Sequence, residues 1–310
     1  MRIVYFGSGA FGLPTLSALR ERHEITGIVT QPDRPAGRGG KLSPTPVGQW
    51  AAANLPGVPL LKPEKVNAPE VIEVVRGWPA DAWVVIAFGQ YMGKRLLEGR
   101  FAINLHASLL PRWRGAAPIN AAILAGDVVT GNSVIALAEK MDAGVVYGQS
   151  KREIPNDMTA GELHDALAAD GPALVLRVLD EFAAGYASGI AQDESMVTIA
   201  GKLSKSDGVV DFTKSAEECR RRVHGLTPWP GVSVPFRDEG LKLLRVATTG
   251  AAGAPGEIVD AAGGVVACGG GTGLALRSVQ PAGGRPMSWE EFARGRRPMV
   301  GEVLGSGPTA

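Results

Sequence analysis

An asparagine and a histidine stand two residues apart in the segment INLHASLLPRWRGAAPIN, from Ile103 to Asn120. Because side chains alternate along a β-strand, Asn104 and His106 would lie on one face, with Leu105 on the other. An amide N–H can hydrogen-bond an oxygen, and an imidazole exchanges a proton near neutral pH. Together they could hold a carbonyl and manage a proton beside it, although a histidine that only fills the core remains the alternative.

A carboxylate that could complete such a site lies 36 positions beyond His106 (142 minus 106), in Met141-Asp142-Ala143-Gly144. This tetrapeptide interrupts two apolar stretches, which predicts a turn between strands. An aspartate at such a turn can orient a histidine and stabilise its protonated form. The same pattern is typical of an ordinary turn aspartate, so the residues alone leave both interpretations open.

Apolar strands alternate with helical segments up to about residue 185. RIVYF, EITGIVT, DAWVVIAF and RFAINLH are apolar stretches of the kind found in parallel strands, and the continuous runs in the last two indicate burial on both faces. Leucines at helical spacing predict a helix from Thr159 to Phe182. This part of the sequence therefore predicts an open α/β sheet, in which ligands bind at the carboxyl ends of strands. Asn104 and His106 stand at such an end.

The pattern changes beyond Gly185, where GYASGIAQDESMVTIAGKLSKSDG has no clean period and indicates a linker. Short strands then follow between turn residues, from VVDF to GLALRSVQP, with one helix, SAEECRRRVHGL, among them. Such spacing predicts a small barrel or sandwich. At 310 residues two domains are expected. We predict a catalytic domain over residues 1–189, a linker over 190–205 and a second domain over 206–310.

The bulk composition excludes some partners and locations. A formal net charge of +1 gives no global attraction to a polyanion, although a local basic surface remains possible. Two cysteines without a CxxC pattern favour a reducing compartment. A secretory leader and an apolar run of about 18 residues are both missing. The sequence therefore predicts a cytoplasmic location and no membrane partner.

The segment GSGAFG, from Gly7 to Gly12, matches GxGxxG between a strand and a helix, and Asp33 follows the second strand. Glycines allow close backbone approach and a helix N-terminus attracts an anion, so nucleotide binding is one interpretation. Pro14 stands early in the helix, where it is tolerated but says nothing about a phosphate, and the long loop QPDRPAGRGGKLSPTPV does not continue as a simple βαβ crossover. They favour a tight strand-to-helix turn instead.

The pattern N-x-H-x-S-L-L-P-R-W-R-G-A-A-P followed by M-D-A-G resembles the 10-formyltetrahydrofolate-dependent formyltransferases. Within that superfamily nearly the whole chain resembles the bacterial enzymes that formylate methionyl-tRNA, through FGSGAFGLPTL, QPDRPAGRGGKL, VVIAFGQ, KLSKSDG and HGLTPWPG. The resemblance implies a Rossmann-like catalytic domain and a smaller C-terminal OB-like β-barrel domain that binds tRNA. In this family the GSGAFG turn is structural.

The resemblance implies transfer of a formyl group from N10 of 10-formyltetrahydrofolate, the co-substrate, to the α-amino group of methionyl initiator tRNA. The family's catalytic trio falls by position on Asn104, His106 and Asp142. Asn104 and a protonated His106 could stabilise the oxyanion of the tetrahedral intermediate, and Asp142 would hold His106. Neither a metal nor NAD(P) is expected, and the expected oligomeric state is a monomer.

The binding residues that the resemblance implies form two sets. The folate set lies in VVIAFGQ, SLLP and MDAG: Ile86, Phe88, Gly89, Gln90, Ser108, Leu109, Leu110, Pro111, Met141 and Gly144. The tRNA set is basic: Arg34, Arg38, Lys41, Arg220, Arg221 and Arg222. A solvated loop and a solvated helix face are the alternatives for the basic residues.

Rival functions stay open at this point. A sister enzyme would formylate an amino sugar nucleotide or hydrolyse formyl-folate, but it has no need of three cations in QPDRPAGRGGKL. A plain RNA-binding module would not need Asn104, His106 and Asp142. A nicotinamide oxidoreductase built on GSGAFG would have no use for SLLPRWRGAAP.

Overall fold

The structure, a computed structural model, describes residues 1–36 and 40–305 of the chain. Its strands are β1 (Arg2–Gly7), β2 (Glu24–Val29), β3 (Arg34–Ala36), β4 (Lys41–Ser43), β5 (Leu60–Leu61), β6 (Ala82–Ile86), β7 (Ala102–His106), β8 (Arg114–Gly115), β9 (Val129–Ala136), β10 (Val146–Glu153), β11 (Ile199–Ala200), β12 (Val232–Phe236), β13 (Glu239–Gly250), β14 (Ile258–Asp260), β15 (Val265–Cys268), β16 (Thr272–Pro281) and β17 (Met287–Ser288). Its α-helices are α1 (Leu13–Arg22), α2 (Pro46–Asn54), α3 (Pro69–Gly77), α4 (Lys94–Leu97), α5 (Pro118–Ala125), α6 (Ala160–Ala183), α7 (Ala216–Gly225) and α8 (Trp289–Arg296).

Seven strands form one sheet in the order β10-β9-β7-β6-β1-β2-β5. The strands from β7 to β5 are parallel neighbours, whereas β9 runs antiparallel to β7. All of β6 and all but the first residue of β1 are buried, as expected for strands covered on both faces. The predicted open α/β sheet is therefore confirmed. The strand order reverses between β1 and β6, the place where such sheets form a crevice.

The predicted long helix is confirmed as α6, Ala160–Ala183. Thr159 precedes it, and its backbone N–H and hydroxyl both donate to Glu162 Oε2 at 2.8 Å. The Glu162 N–H donates in return to Thr159 Oγ1 at 3.4 Å, and this reciprocal arrangement satisfies a backbone donor that the first turn of a helix leaves unpaired. The helix thus begins where local polar chemistry stabilises its first turn.

The chain divides into two compact units, and nearly all of the seven-stranded sheet lies in the first, which comprises Met1–Gly115, Thr130–Arg152 and His164–Ile199. The second comprises Ala116–Val129, Glu153–Leu163 and Ala200–Ala310. The second unit contains an antiparallel sheet in the order β12-β13-β16-β15-β14, with β17 paired to β16. Alternating burial along β12 shows that one face packs on a core, as in most antiparallel sheets. The predicted second, strand-rich domain is therefore confirmed, while the boundaries at residues 189 and 205 stay predictions.

Within residues 1–36 and 40–305, no helix combines the length and the apolar character that a membrane crossing requires.

A buried histidine in the second unit makes its stability depend on pH. His224 is fully buried, and its Nε2 accepts a hydrogen bond from the Val246 N–H at 3.1 Å. Burial, reinforced by the nearby Arg220 and Arg245 guanidinium groups and opposed by Glu162, lowers the pKa of His224 from 6.5 to about 4. Between these two values the unfolded chain binds more protons than the folded one. The contribution of this group to stability is therefore complete above pH 6.5 and is lost as the pH falls toward 4.

We predict that the free energy of unfolding falls by about 2 kcal/mol between pH 7.5 and pH 5 because of His224 alone. The His224→Gln variant keeps an acceptor without a titrating ring and should lack this part of the decrease. Urea unfolding of both proteins at the two pH values measures the difference. NMR titration of the ring is the second check, and a pKa near 6.5 there would contradict the prediction.

Candidate active site

The carboxyl end of β7 carries the first two predicted catalytic residues. Asn104 pairs in parallel register with Val85 of β6, and His106 lies opposite Ser133 of antiparallel β9. Leu105, between them, is buried. Among the described residues, none hydrogen-bonds to the Asn104 side chain, so its amide is available to a substrate. Pairing with β6 and β9 thus fixes the position of β7, while the Asn104 amide near its carboxyl end keeps its hydrogen-bonding capacity.

The His106 ring lies between a backbone carbonyl and a carboxylate. Its Nε2 is 2.8 Å from the Trp113 carbonyl oxygen, and its Nδ1 is 3.7 Å from Asp142 Oδ2. A carbonyl only accepts, so Nε2 carries the proton of that bond. A neutral ring would then turn the Nδ1 lone pair toward the carboxylate, whereas a protonated ring presents an N–H to it. Both side chains are at least 86% removed from solvent, so the ring and the carboxylate face each other where water has little access.

Asp142 occupies the turn between β9 and β10 with a left-handed backbone, φ +53°. Aspartate tolerates this conformation better than most residues because its short side chain bonds locally. Here Oδ2 accepts a hydrogen bond from the Gly115 N–H at 2.9 Å. The same oxygen faces His106, so the turn joins the carboxylate to the loop that follows β7. The MDAG segment therefore brings a distant carboxylate to the strand end.

Gly144 closes this turn against β9. A Cβ at this position would lie 1.8 Å from the Ala136 carbonyl oxygen, a backbone atom that cannot move aside. The adjacent Val145 carbonyl accepts a hydrogen bond from the Ala136 N–H at 2.9 Å. Close backbone contact thus explains the glycine of MDAG. A role in folate binding stays a prediction.

The SLLP segment is held by two side chains that the sequence reasoning missed. Ser133 donates to the Ser108 carbonyl at 2.6 Å and accepts from the Leu110 N–H at 3.0 Å. Gln149 Nε2 donates both to the Leu110 carbonyl and to Ser133 Oγ, each at 2.9 Å. The buried Ser108 hydroxyl donates to the Arg112 carbonyl at 2.6 Å, so it braces the loop. No sequence signal marked Ser133, because β9 contains other polar residues beside it, Thr130 and Asn132.

The AFGQ segment after β6 contains three residues of the predicted folate set, Phe88, Gly89 and Gln90, and a fourth, Ile86, is the last residue of β6. Phe88 is buried against Phe6 in an edge-on contact, with ring centroids 5.7 Å apart. Gln90 Oε1 accepts from the Val66 N–H at 2.7 Å, and its Nε2 donates to the Pro63 carbonyl at 2.9 Å. The Gln90 side chain therefore supports the loop itself, which leaves backbone groups and apolar side chains for a ligand.

The GSGAFG segment forms a tight turn. The N–H groups of Ser8 and Gly9 both donate to the Ala87 carbonyl, at 3.2 and 3.3 Å. The buried Tyr5 hydroxyl donates to the Gly12 carbonyl at 3.1 Å, and burial raises the pKa of Tyr5. A Cβ on Gly12 would lie 2.0 Å from that hydroxyl. Two of the amides that could cradle a phosphate are thus engaged within the protein, which supports the interpretation as a structural turn.

The basic loop is only partly described. Arg34 and Lys41 lie on the short β3–β4 hairpin, and Arg38 lies outside the described residues. Arg34 forms an exposed ion pair with Glu64 at 2.7 Å. Lys41 is exposed. Their predicted role toward tRNA stays a prediction.

The arginines of α7 have partners within the second unit. Arg220 is buried and donates to Glu217 and to a backbone carbonyl. Arg221 also pairs with Glu217, at 2.8 Å. Arg222 donates to two backbone carbonyls of residues 207–209, both at 2.7 Å. The side chains of Arg220 and Arg222 are therefore engaged in hydrogen bonds within the protein. Their role as tRNA contacts stays a prediction, and these bonds do not support it.

Comparison with known proteins places the chain among the formyl transferases. The formyl transferase family model matches residues 1–179, and the model of the formyl transferase C-terminal domain matches residues 202–297. The methionyl-tRNA formyltransferase of Acidithiobacillus ferrooxidans (strain ATCC 53993 / BNL-5-31) is 42% identical over 98% of each chain. That of Magnetococcus marinus is 39% identical over 99% of each chain. The chain belongs to the methionyl-tRNA formyltransferase family.

Solved structures share the fold at low identity. HypX from Aquifex aeolicus, in complex with tetrahydrofolic acid, matches 97% of the chain with a TM-score of 0.66 and 16% identity. The chain spans about half of its length, 48%. WlaRD, a sugar 3N-formyl transferase, matches 89% of the chain and 97% of its own, with a TM-score of 0.65 and 12% identity. Methionyl-tRNA formyltransferase from Clostridium thermocellum matches 80% of the chain and 93% of its own, with a TM-score of 0.53 and 11% identity.

We predict that Gly144→Ala destabilises the first unit by about 1–3 kcal/mol or more, because the new methyl group overlaps the Ala136 carbonyl. The control is Gly77→Ala, at the end of α3, where an added Cβ meets no atom within 4 Å. Thermal and urea unfolding of the two variants measure the contrast. Equal stability of Gly144→Ala and wild type would show that the backbone of the turn can move to accommodate the methyl group, and it would contradict the prediction.

Proposed function

We propose that the protein transfers the formyl group of 10-formyltetrahydrofolate to the α-amino group of methionyl initiator tRNA. The product would be N-formylmethionyl-tRNA for translation initiation. The observation that carries the proposal is the identity of about 40% to methionyl-tRNA formyltransferases over nearly the full chain. Folate as the co-substrate is supported by two structural neighbours, HypX with tetrahydrofolic acid and WlaRD with 5-N-formyl-THF.

In this reaction the neutral amine attacks the formyl carbon, and the carbonyl oxygen becomes an oxyanion. The Asn104 amide is the donor that protein partners leave available, so it is assigned to the oxyanion. His106 has its two ring nitrogens directed at Trp113 and Asp142, so its imidazolium form contributes a positive charge held nearby. A preorganised charge in a site shielded from water is the usual large contribution to such catalysis.

The transfer also moves protons. The C–N bond to the amine forms, the bond from the formyl carbon to N10 breaks, the amine nitrogen loses a proton and N10 gains one. Oδ2 of Asp142 is bound to the Gly115 N–H and faces His106. The second oxygen, Oδ1, has no donor among the described residues, and it is assigned as the acceptor of the amine proton. This assignment chooses Asp142 over His106, which the sequence left open.

Purified protein with 10-formyltetrahydrofolate and methionyl initiator tRNA should form N-formylmethionine on the tRNA, measured by mass spectrometry after ester hydrolysis. We predict that Asn104→Ala and Asp142→Ala lower kcat by about 100- to 1,000-fold, with the KM for formyl-folate little changed. Asn54→Ala, at the end of α2, is the control. Hydrolysis of formyl-folate without transfer, or formylation of an amino sugar nucleotide instead, would overturn the proposal.

The basic loop should act on the tRNA alone. We predict that Lys41→Ala and Arg38→Ala each raise the KM for tRNA and reduce the slope of log KM against log salt by about 1, the effect of one phosphate contact. The KM for formyl-folate should not change. Lys94→Ala, an exposed lysine on α4, is the charge-matched control. A parallel loss of formyl-folate affinity would place the loop at the other substrate.

A further inference from the structure

A short segment that the sequence predicts as linker holds the catalytic turn. Gln192 Nε2 donates to the Asp142 carbonyl at 2.7 Å and to the Gly144 carbonyl at 2.8 Å. One side-chain amide thus binds both ends of the three-residue stretch that contains the catalytic carboxylate. The left-handed backbone of Asp142 is otherwise a conformation that costs free energy, so it needs such support.

A buried arginine fixes the glutamine in turn. Arg114 is 2% exposed, and its Nε donates to Gln192 Oε1 at 2.9 Å. Its Nη2 forms an ion pair with Glu194 Oε1 at 2.7 Å, and Lys140 pairs with the other oxygen of Glu194 at 2.8 Å. These hydrogen bonds, that from Arg114 first, lower the pKa of Glu194 to about 2, so it stays charged at neutral pH. The amide orientation of Gln192 follows, because its oxygen must face Arg114 and its nitrogen the turn.

The other end of the segment holds the loop that orients His106. Thr198 Oγ1 accepts a hydrogen bond from the Trp113 N–H at 2.9 Å, and the Thr198 carbonyl accepts from the Arg114 N–H at 2.9 Å. Trp113 has φ +62°, a strained value for a bulky residue. Its carbonyl is the group that receives the His106 Nε2–H. Thr198 therefore fixes the peptide that sets the ring orientation.

We propose that Gln192–Thr198 is a strap that positions the catalytic pair: Gln192 sets the Asp142 carboxylate, and Thr198 sets the Trp113 carbonyl that orients His106. The inference rests on the proposed function, since formyl transfer is its main readout. Nδ1 and Oδ2 are 3.7 Å apart, beyond hydrogen-bond distance, so their interaction depends on where two loops are held. Displacement of such groups by about 1 Å can cost about 100-fold in rate. Gln192 and Thr198 are therefore positioning residues, which act through the catalytic residues.

The first test is kinetic. Gln192→Ala and Thr198→Val should lower kcat by about 10- to 100-fold, with the KM for both substrates within about twofold of wild type. Thr198→Ser keeps the accepting hydroxyl and should restore most of kcat. Gln49→Ala, an exposed glutamine on α2, is the control. Unchanged kcat in Gln192→Ala and Thr198→Val, or a failure of serine to rescue, would overturn the proposal.

A double-mutant cycle separates positioning from loss of folding. If Gln192 acts through Asp142, then Gln192→Ala should cost little further kcat in an Asp142→Asn background. Full multiplication of the two losses would show that Gln192 acts elsewhere and would overturn its assignment.

The ¹⁵N shifts of the His106 ring provide a readout that needs no turnover. Thr198→Val should change them, and Thr198→Ser should return them toward wild type. This keeps the two hypotheses distinguishable: a wild-type protein without formyl transfer contradicts the proposed function, whereas unchanged ring shifts in Thr198→Val contradict the strap.

Discussion

The placement of one imidazole ring between a carbonyl and a carboxylate is the constraint on which the proposed active site depends. The Trp113 carbonyl can only accept, so it fixes which nitrogen of His106 carries the proton and turns the other toward Asp142. The strand that bears His106 is rigid, because it lies between β6 and β9 in the sheet. Both partners of the ring lie on loops. The polar side chains around the site therefore serve mainly to hold two loops in place beside β7. Ser133 holds the SLLP loop, and Gln192 holds the turn that contains Asp142.

The strands could be predicted because burial leaves a pattern in the sequence. The run AWVVI is apolar at every position, as a parallel strand covered on both faces must be, and Asn104 and His106 stand out against a similar run. The strap could not be found in this way. Within the strap the apolar side chain of Met196 is 58% exposed, so hydrophobic burial contributes little to the order of this segment and leaves no period. Its order comes from hydrogen bonds over 50 to 85 positions, such as Gln192 to Asp142 and Trp113 to Thr198. Periodicity carries no information about which polar group meets a distant carbonyl.

The arginines of α7 illustrate a related limit. A count of charges in RRR predicts a basic cluster, but a charge that is paired locally is not available to a polyanion in the same way. Glu217 lies three and four positions before Arg220 and Arg221, the spacing at which helical side chains meet, and it pairs with both. The pairing of Glu217 with Arg220 and Arg221 could therefore be predicted from the sequence. The bonds of Arg222 to backbone carbonyls were not, since they depend on where a loop ends. Local spacing is therefore a better guide to the fate of a charge cluster than its net charge.

The same sheet explains why the GxGxxG segment and the proposed catalytic residues lie on different strands. The order reverses between β1 and β6, so a ligand crevice is expected at their carboxyl ends. At the end of β1, however, the amides of Ser8 and Gly9 donate to the Ala87 carbonyl of the loop after β6. These two hydrogen bonds use N–H groups that could otherwise donate to an anion. Polar groups with capacity for a substrate are found one strand further along, where β7 ends in Asn104 and His106. In this sheet, therefore, topology defines the edge at which a ligand is expected, and the hydrogen bonds of the loops decide which strand of that edge keeps polar groups available to it.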